Sequence, residues 1–265
     1  MDPINTIFQT SSWPTFAFVA TRVGGLMTAA PLWSMTGLPR LARGAVAVTM
    51  SVVLLPVVPQ VTDPGSLATI SLSMGMEFLI GLLIGLTAAV FLHGAGLAGE
   101  IIISQMGLNL GPSAASMSDV LVPGVGQLKT AMVTLIYLGI DGHLILLRGV
   151  ADSLQAFPPG MAFIPDAGPP LAIHLMTTMY KAAIQAAAPA MVALVLIDVA
   201  VGIMSRAVPQ LNAIMVLFPV TILLGLVMVA AAMPMTAQAM YGWMADLGHH
   251  VGVVLEALSK AKGGN

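Results

Sequence analysis

The sequence predicts an all-α, polytopic membrane protein, and three observations carry that expectation. Charge is sparse: 9 Lys plus Arg and 11 Asp plus Glu stand in 265 residues, or 8%, against roughly 25% in an ordinary soluble domain. Apolar residues make up 58% of the chain, and the mean hydropathy is +0.97. Long apolar segments recur without strand alternation, and hydrocarbon tolerates only helices and closed barrels. A chain of this kind lacks the charged residues that cover a water-facing surface, which excludes a soluble globular enzyme. Disorder needs the opposite composition. The net charge of −2 offers no basic field for nucleic acid. With no cysteine there is no disulfide, thiolate metal site or thiol nucleophile.

Crossing a hydrocarbon core of roughly 30 Å takes about 20 mostly apolar residues, and six segments qualify: 13–33, 44–61, 67–99, 128–150, 171–205 and 211–245. The residues before the first contain Asp2 and no Lys or Arg, so they lack the basic start of a secretory signal peptide. The second segment carries no charge, and the third carries Glu77. Two stretches rich in Gly and Pro, 109–127 and 157–170, read as loops. From residue 207 to 245 there is no Asp, Glu, Lys, Arg or His. One straight helix over that stretch would measure about 58 Å, far more than a bilayer core. Pro189, Pro219 and Pro234 therefore predict kinks or breaks. Broken helices at membrane depth need other protein or a watery cavity around them, so the chain is expected to work with partners. No internal repeat divides it, and one helical domain over 1–265 is expected. With six crossings, Arg40, Arg43 and Arg206 fall on one side, and the positive-inside rule puts both termini outside the cytoplasm.

Ionisable groups inside apolar segments are costly and usually pair or face a cavity. Arg22, Glu77, Asp141, Lys181 and Asp198 are the candidates for buried polar positions, with His143 beside Asp141. They stand scattered singly, which favours pairing between helices over an ion pathway by about two to one. The five histidines show no HExxH or comparable spacing. No phosphate-binding loop, nucleophile elbow or dinucleotide fingerprint occurs. The chain is thus expected to be non-enzymatic, with no cofactor and no metal. Gly81 and Gly85 form a GxxxG pattern, which lets a neighbouring backbone approach closely.

One run is distinctive. Ser205 to Asn212 reads SRAVPQLN, followed by Phe218-Pro219 and Ile222-Leu-Leu-Gly-Leu226. It resembles the C-terminal signature of the FliR/SctT family of type III secretion export-gate proteins. Arg22 with Ala30-Pro31-Leu32 and Pro39, the Glu77 to Gly85 run, and Asp141-Gly142-His143 resemble the family's other landmarks in order along nearly the whole chain. Two departures stand out: Thr221 occupies a position where many members carry lysine, and 109–127 lacks a phenylalanine found in some.

The resemblance implies a structural subunit of the flagellar core export gate, built with FliP and FliQ in the bacterial inner membrane. It implies a FliP-like part over 1–170, a FliQ-like helical hairpin over 171–265, and FlhB and FlhA as further partners. Unfolded flagellar proteins would pass through the conduit. It also implies a cytoplasmic partner-contact turn at Arg206, Pro209, Gln210 and Asn212. The apolar 109–127 stretch is long for a helix–helix connection, and apolar groups in a narrow pore seal it by dewetting. Met117, Val120, Leu121 and Val122 are assigned as the pore-plug surface. The alternative, from the broken helices and buried charges alone, is a secondary transporter.

Overall fold

The computed structural model describes residues 12–34, 39–61, 65–106, 115–160, 168–207 and 213–262. Among them every regular element is helical. In chain order these are α1 (Ser12–Ala29), α2 (Pro31–Ser34), α3 (Arg40–Leu54) with a 3-10 turn at Leu55–Val57, α4 (Leu67–Gln105), α5 (Ala115–Gly139), α6 (Gly142–Ala156), α7 (Gly168–Ala207), α8 (Ala213–Ala245) and α9 (Leu247–Lys262). The all-α polytopic class is what the composition demands.

The count of spans differs from the six expected. Among the described residues three helices are long and apolar enough to cross a membrane: Arg40–Val57, Leu67–Gln105 and Ile173–Ala200. Two bent pairs, one broken at residues 140–141 and one within α8, raise that to at most five. The 13–33 segment is not among them, because Pro31 opens a separate short helix and Thr15, Thr21, Arg22 and Thr28 dilute the apolar character of α1. Arg40 and Arg43 occupy the first turn of α3 rather than a loop. The parity argument that put both termini on one side therefore loses its six-crossing premise. The 109–127 loop is also corrected, since α5 already begins at Ala115. Met117, Leu121 and Val125 recur every four residues with Val120 beside them, and that helical period outweighs the local glycines and Pro123. Pro234 leaves its mark where expected: α8 bends by 43° between Ile222–Ala231 and Met233–Ala245. Helix α7 continues through Pro189.

The fold comprises two compact units. The first holds Met1–Val90, Tyr137–Met176 and Met244–Asn265. Its α1 buries Thr15, Phe18, Val19, Arg22, Val23 and Leu26. Their spacing of three and four residues makes one stripe along the helix. Helix α1 packs against α3 and α6, and α9 packs against α6, where Val251 covers Gly149 closely enough that a Cβ there would lie 2.6 Å from its Cγ1.

The second unit holds Phe91–Ile136 and Thr177–Trp243. Ala183, Ala186, Ala187, Ala190 and Leu194 form a buried small-residue stripe on α7. Such a stripe lets helices approach closely. Gly94 of α4 lies against it, where a Cβ would come 3.2 Å from the Met179 carbonyl. The Phe91 and Trp243 rings pack at 6.0 Å between centroids.

Candidate functional site

Among the described residues each unit contains one buried charged centre. In the first unit it is built on Arg22, which the α1 stripe carries into the core with 0% side-chain exposure. Its Nε donates to Glu77 Oε2 at 2.5 Å. Its Nη1 donates to Ser153 Oγ at 3.1 Å and its Nη2 to the Phe157 carbonyl at 2.9 Å. The second carboxylate oxygen of Glu77 accepts the Gly160 N–H at 3.1 Å. Ser73 Oγ donates to the Gly160 carbonyl at 3.2 Å, and Ser153 Oγ donates to the Val150 carbonyl at 2.7 Å. Gly160 has φ +81, in the left-handed region that suits glycine, and a Cβ there would sit 3.1 Å from the Phe18 ring.

Burying two ions costs several kcal/mol each unless they pair and their remaining donors and acceptors are used. This network meets that demand with a hydroxyl, a carbonyl and a backbone amide. It ties α1, α4 and the C-terminal end of α6 to the turn that follows α6. That arrangement positions helices.

The helices that cross at this centre lie unusually close. A Cβ on Gly81 would fall inside contact with the Arg22 carbonyl, and one on Gly25 inside contact with the Phe78 carbonyl. A Cβ on Gly85 would sit 2.8 Å from the Leu26 carbonyl. The GxxxG pattern thus serves the α1–α4 contact.

In the second unit the centre is Lys129 of α5, also 0% exposed. Its Nζ donates to the Ala186 carbonyl at 3.3 Å and to Thr236 Oγ1 at 3.5 Å. In sequence Lys129 lies at the edge of the Gly- and Pro-rich 109–127 stretch, where a lysine carries no sign of burial.

The remaining expected sites fall differently. Arg22 and Glu77 are buried, but Asp141, Lys181 and Asp198 are exposed on this chain, correcting the expectation of burial for those three. For Lys181 and Asp198 the reason is that α7 keeps only one stripe for its own core. Only 33% of its apolar window is buried, and Ile184, Val192, Val195, Leu196, Val199 and Ile203 lie exposed on its surface. Asp141 opens α6 in the left-handed conformation with φ 56, and its carbonyl accepts the Leu144 and Ile145 N–H groups. Gly142 is needed beside it, because a Cβ would run into the Tyr137 ring. Arg206 is exposed in the last turn of α7. Pro209, Gln210 and Asn212 lie outside the described residues, as do the side chains of Met117, Val120, Leu121 and Val122 on α5.

The adjacent His249 and His250 rings lie 6.1 Å apart. Burial, reinforced by His249 and His174, holds the His250 pKa below the usual histidine value against the opposing pull of Asp246. No group of three His, Cys, Asp or Glu able to hold a metal occurs among the described residues.

Fold and buried centres together define an all-helical, membrane-embedded protein whose charged core residues serve helix positioning. The family described as bacterial export proteins, family 1, matches residues 13–247. The chain belongs to that family, the FliR/SctT proteins of type III secretion. It is 28% identical over 228 residues to the flagellar biosynthetic protein FliR of Bacillus subtilis (strain 168), covering 83% of this chain and 86% of the relative. It is 27% identical over 233 residues to the protein of the same name in Escherichia coli (strain K12), covering 85% and 84%. The secretion system apparatus protein SsaT of Salmonella typhimurium is 27% identical over 159 residues, covering 60% of this chain and 61% of SsaT. The chain is accordingly a component of a type III export apparatus.

Proposed function

We propose that this chain is a non-enzymatic structural subunit of the core export gate of the flagellar type III secretion system. With FliP and FliQ it forms the inner-membrane conduit, within the basal body, through which unfolded flagellar proteins pass. The observation that carries this reading is the outer face of α7. A helix of spanning length displays Lys181 and Asp198 on a largely apolar exposed surface. Charges in contact with lipid are costly, so that face is made for protein neighbours. Residues 1–170 supply the FliP-like part and 171–265 the FliQ-like hairpin. Both termini face the periplasm, which takes an even number of crossings and so four of the at most five candidate spans. The turn at Arg206, Pro209, Gln210 and Asn212 faces the cytoplasm and meets FlhB, with FlhA a further neighbour.

Partners that bind only the folded chain stabilise it by mass action. On gentle detergent extraction the chain is expected to travel with FliP and FliQ on sizing, and its cellular half-life to fall several-fold when FliP is absent. A lone monomer that transports a solute in liposomes would overturn the gate in favour of a transporter.

Met117, Val120, Leu121 and Val122, in the N-terminal part of α5, form the plug of the closed conduit. Deleting residues 113–120 is expected to let ions leak through gates that still assemble. Assembled deletion gates that hold ion gradients as tightly as wild type would overturn the plug assignment.

A further inference from the structure

The second half of α4 is closely packed, and what it leaves open is polar. From Ile80 to Gln105 the exposed residues are His93, Glu100 and Ser104, and every other position is buried or half-buried. Spacings of seven and four residues put these three on one line along the helix, about 17 Å long at 1.5 Å per residue. Helices of the same unit close on both sides of that line. On the Gly94 side α7 approaches, where a Cβ would lie 3.2 Å from the Met179 carbonyl. On the Gly96 side α5 approaches, where a Cβ would lie 3.1 Å from Thr130 Oγ1. Among the described residues neither the His93 nor the Glu100 side chain has an ion pair or a hydrogen bond. Ser104 Oγ turns to its own helix and donates to the Ile101 carbonyl at 2.7 Å. We propose that this stripe is a wall of the conduit and faces the water through which the unfolded chain passes.

The proposal rests on the gate reading above and adds which surface of this chain meets the export substrate. Lipid, a neighbouring subunit and water are the three occupants to weigh, and the composition of the stripe separates them. Lipid is unsuited, because an ionisable side chain at hydrocarbon depth is costly and turns to a cavity or a partner group. A neighbouring subunit suits the outer face of α7, where Ile184, Val192, Val195, Leu196 and Val199 supply apolar area around Lys181 and Asp198. The α4 stripe exposes no large apolar side chain. A subunit pressed onto it would desolvate an imidazole, a carboxylate and a hydroxyl with little apolar burial to offset that. Water satisfies all three. The same surface serves an unfolded polypeptide in transit, since a hydrated polar wall offers its passing segments no apolar patch to stick to.

The chain has no cysteine, so a single introduced cysteine reports its own surroundings. The variants are His93→Cys, Glu100→Cys and Ser104→Cys, with the buried Ile102→Cys as reference, each in full gates co-purified with FliP and FliQ. A small cationic methanethiosulfonate is added in detergent, where both ends of the gate meet the reagent. Thiols left unreacted on this chain are then counted with a polyethylene glycol maleimide after denaturation. The three stripe cysteines should react at least tenfold faster than Ile102→Cys. In gates purified with an export substrate stalled by a folded C-terminal fusion, the same three should react several-fold more slowly. Stripe cysteines no faster than Ile102→Cys overturn the wall and leave the gate reading in place. Fast labelling that the stalled substrate does not slow also overturns it, because the stripe then faces water outside the conduit. If the wild-type chain does not co-purify with FliP and FliQ, the gate reading has failed and the wall with it. Ser104→Cys exchanges only oxygen for sulfur, and it decides alone should His93→Cys or Glu100→Cys not assemble.

Discussion

Replacing Arg22 with methionine is expected to lower the melting temperature of the protein sharply, and replacing both Arg22 and Glu77 with methionine to restore much of it. In the single variant the Glu77 carboxylate stays buried with the Gly160 N–H as its remaining partner in the network. Breaking a buried pair from one side costs about 3–5 kcal/mol, a large part of the roughly 5–15 kcal/mol that holds a domain folded. Glu77→Met strands the guanidinium and should cost about as much. The double variant removes both charges and fills the space with adaptable apolar side chains, a change that is often neutral or better at other buried pairs. Recovery stays incomplete here because Ser153, the Phe157 carbonyl and the Gly160 amide lose partners too. Thermal melts of the detergent-solubilised chain, followed by the loss of its monodisperse sizing peak, measure all three variants. A double variant that melts at the sum of the two single losses would refute the account of the pair as one coupled unit.

The parts of this centre were unequally visible in the sequence. Arg22 and Glu77 stood out because a charge within an apolar segment needs a partner. Their pairing did not, since 55 residues separate them and several other charges were equally available. Ser153 and the Gly160 amide were hidden altogether: a hydroxyl or a backbone N–H has no signature until the chain is folded around it. Lys181 and Asp198 look in sequence just like Arg22, yet lie exposed. Apolar periodicity shows that a helix is buried in something, and cannot tell its own chain from a neighbour. α4 makes the same point in reverse, because its spanning-length apolar window is 72% buried within the protein itself. At 109–127 the turn-forming residues mask a four-residue apolar repeat, and with it both the start of α5 and the burial of Lys129. The SRAVPQLN run escaped all of this, because a specific motif needs no packing argument to be read.

Gly81→Ala is expected to destabilise the same unit severely, although alanine is the better helix former. The neighbour at Gly81 is the backbone carbonyl of Arg22, with the Leu26 amide nitrogen 2.9 Å from where the Cβ would lie. A side chain could rotate out of the way; a carbonyl held in helix α1 cannot. The two helices must part, and overpacking of this kind costs about 1–3 kcal/mol even where neighbours can yield. Parting them also pulls Arg22 from Glu77, so the packing loss and the ion-pair loss arrive together. Gly75 supplies the control, two turns earlier on α4, where a Cβ would meet nothing within 4 Å. There the gain in helix propensity, about 0.8–1.0 kcal/mol for alanine over glycine, stands unopposed, and Gly75→Ala should melt at or above the wild-type temperature. Because the clash acts through Arg22, Gly81→Ala should also lose less in an Arg22→Met background than in the wild type. Equal melting of Gly81→Ala and Gly75→Ala would mean that the two helices do not cross at these glycines.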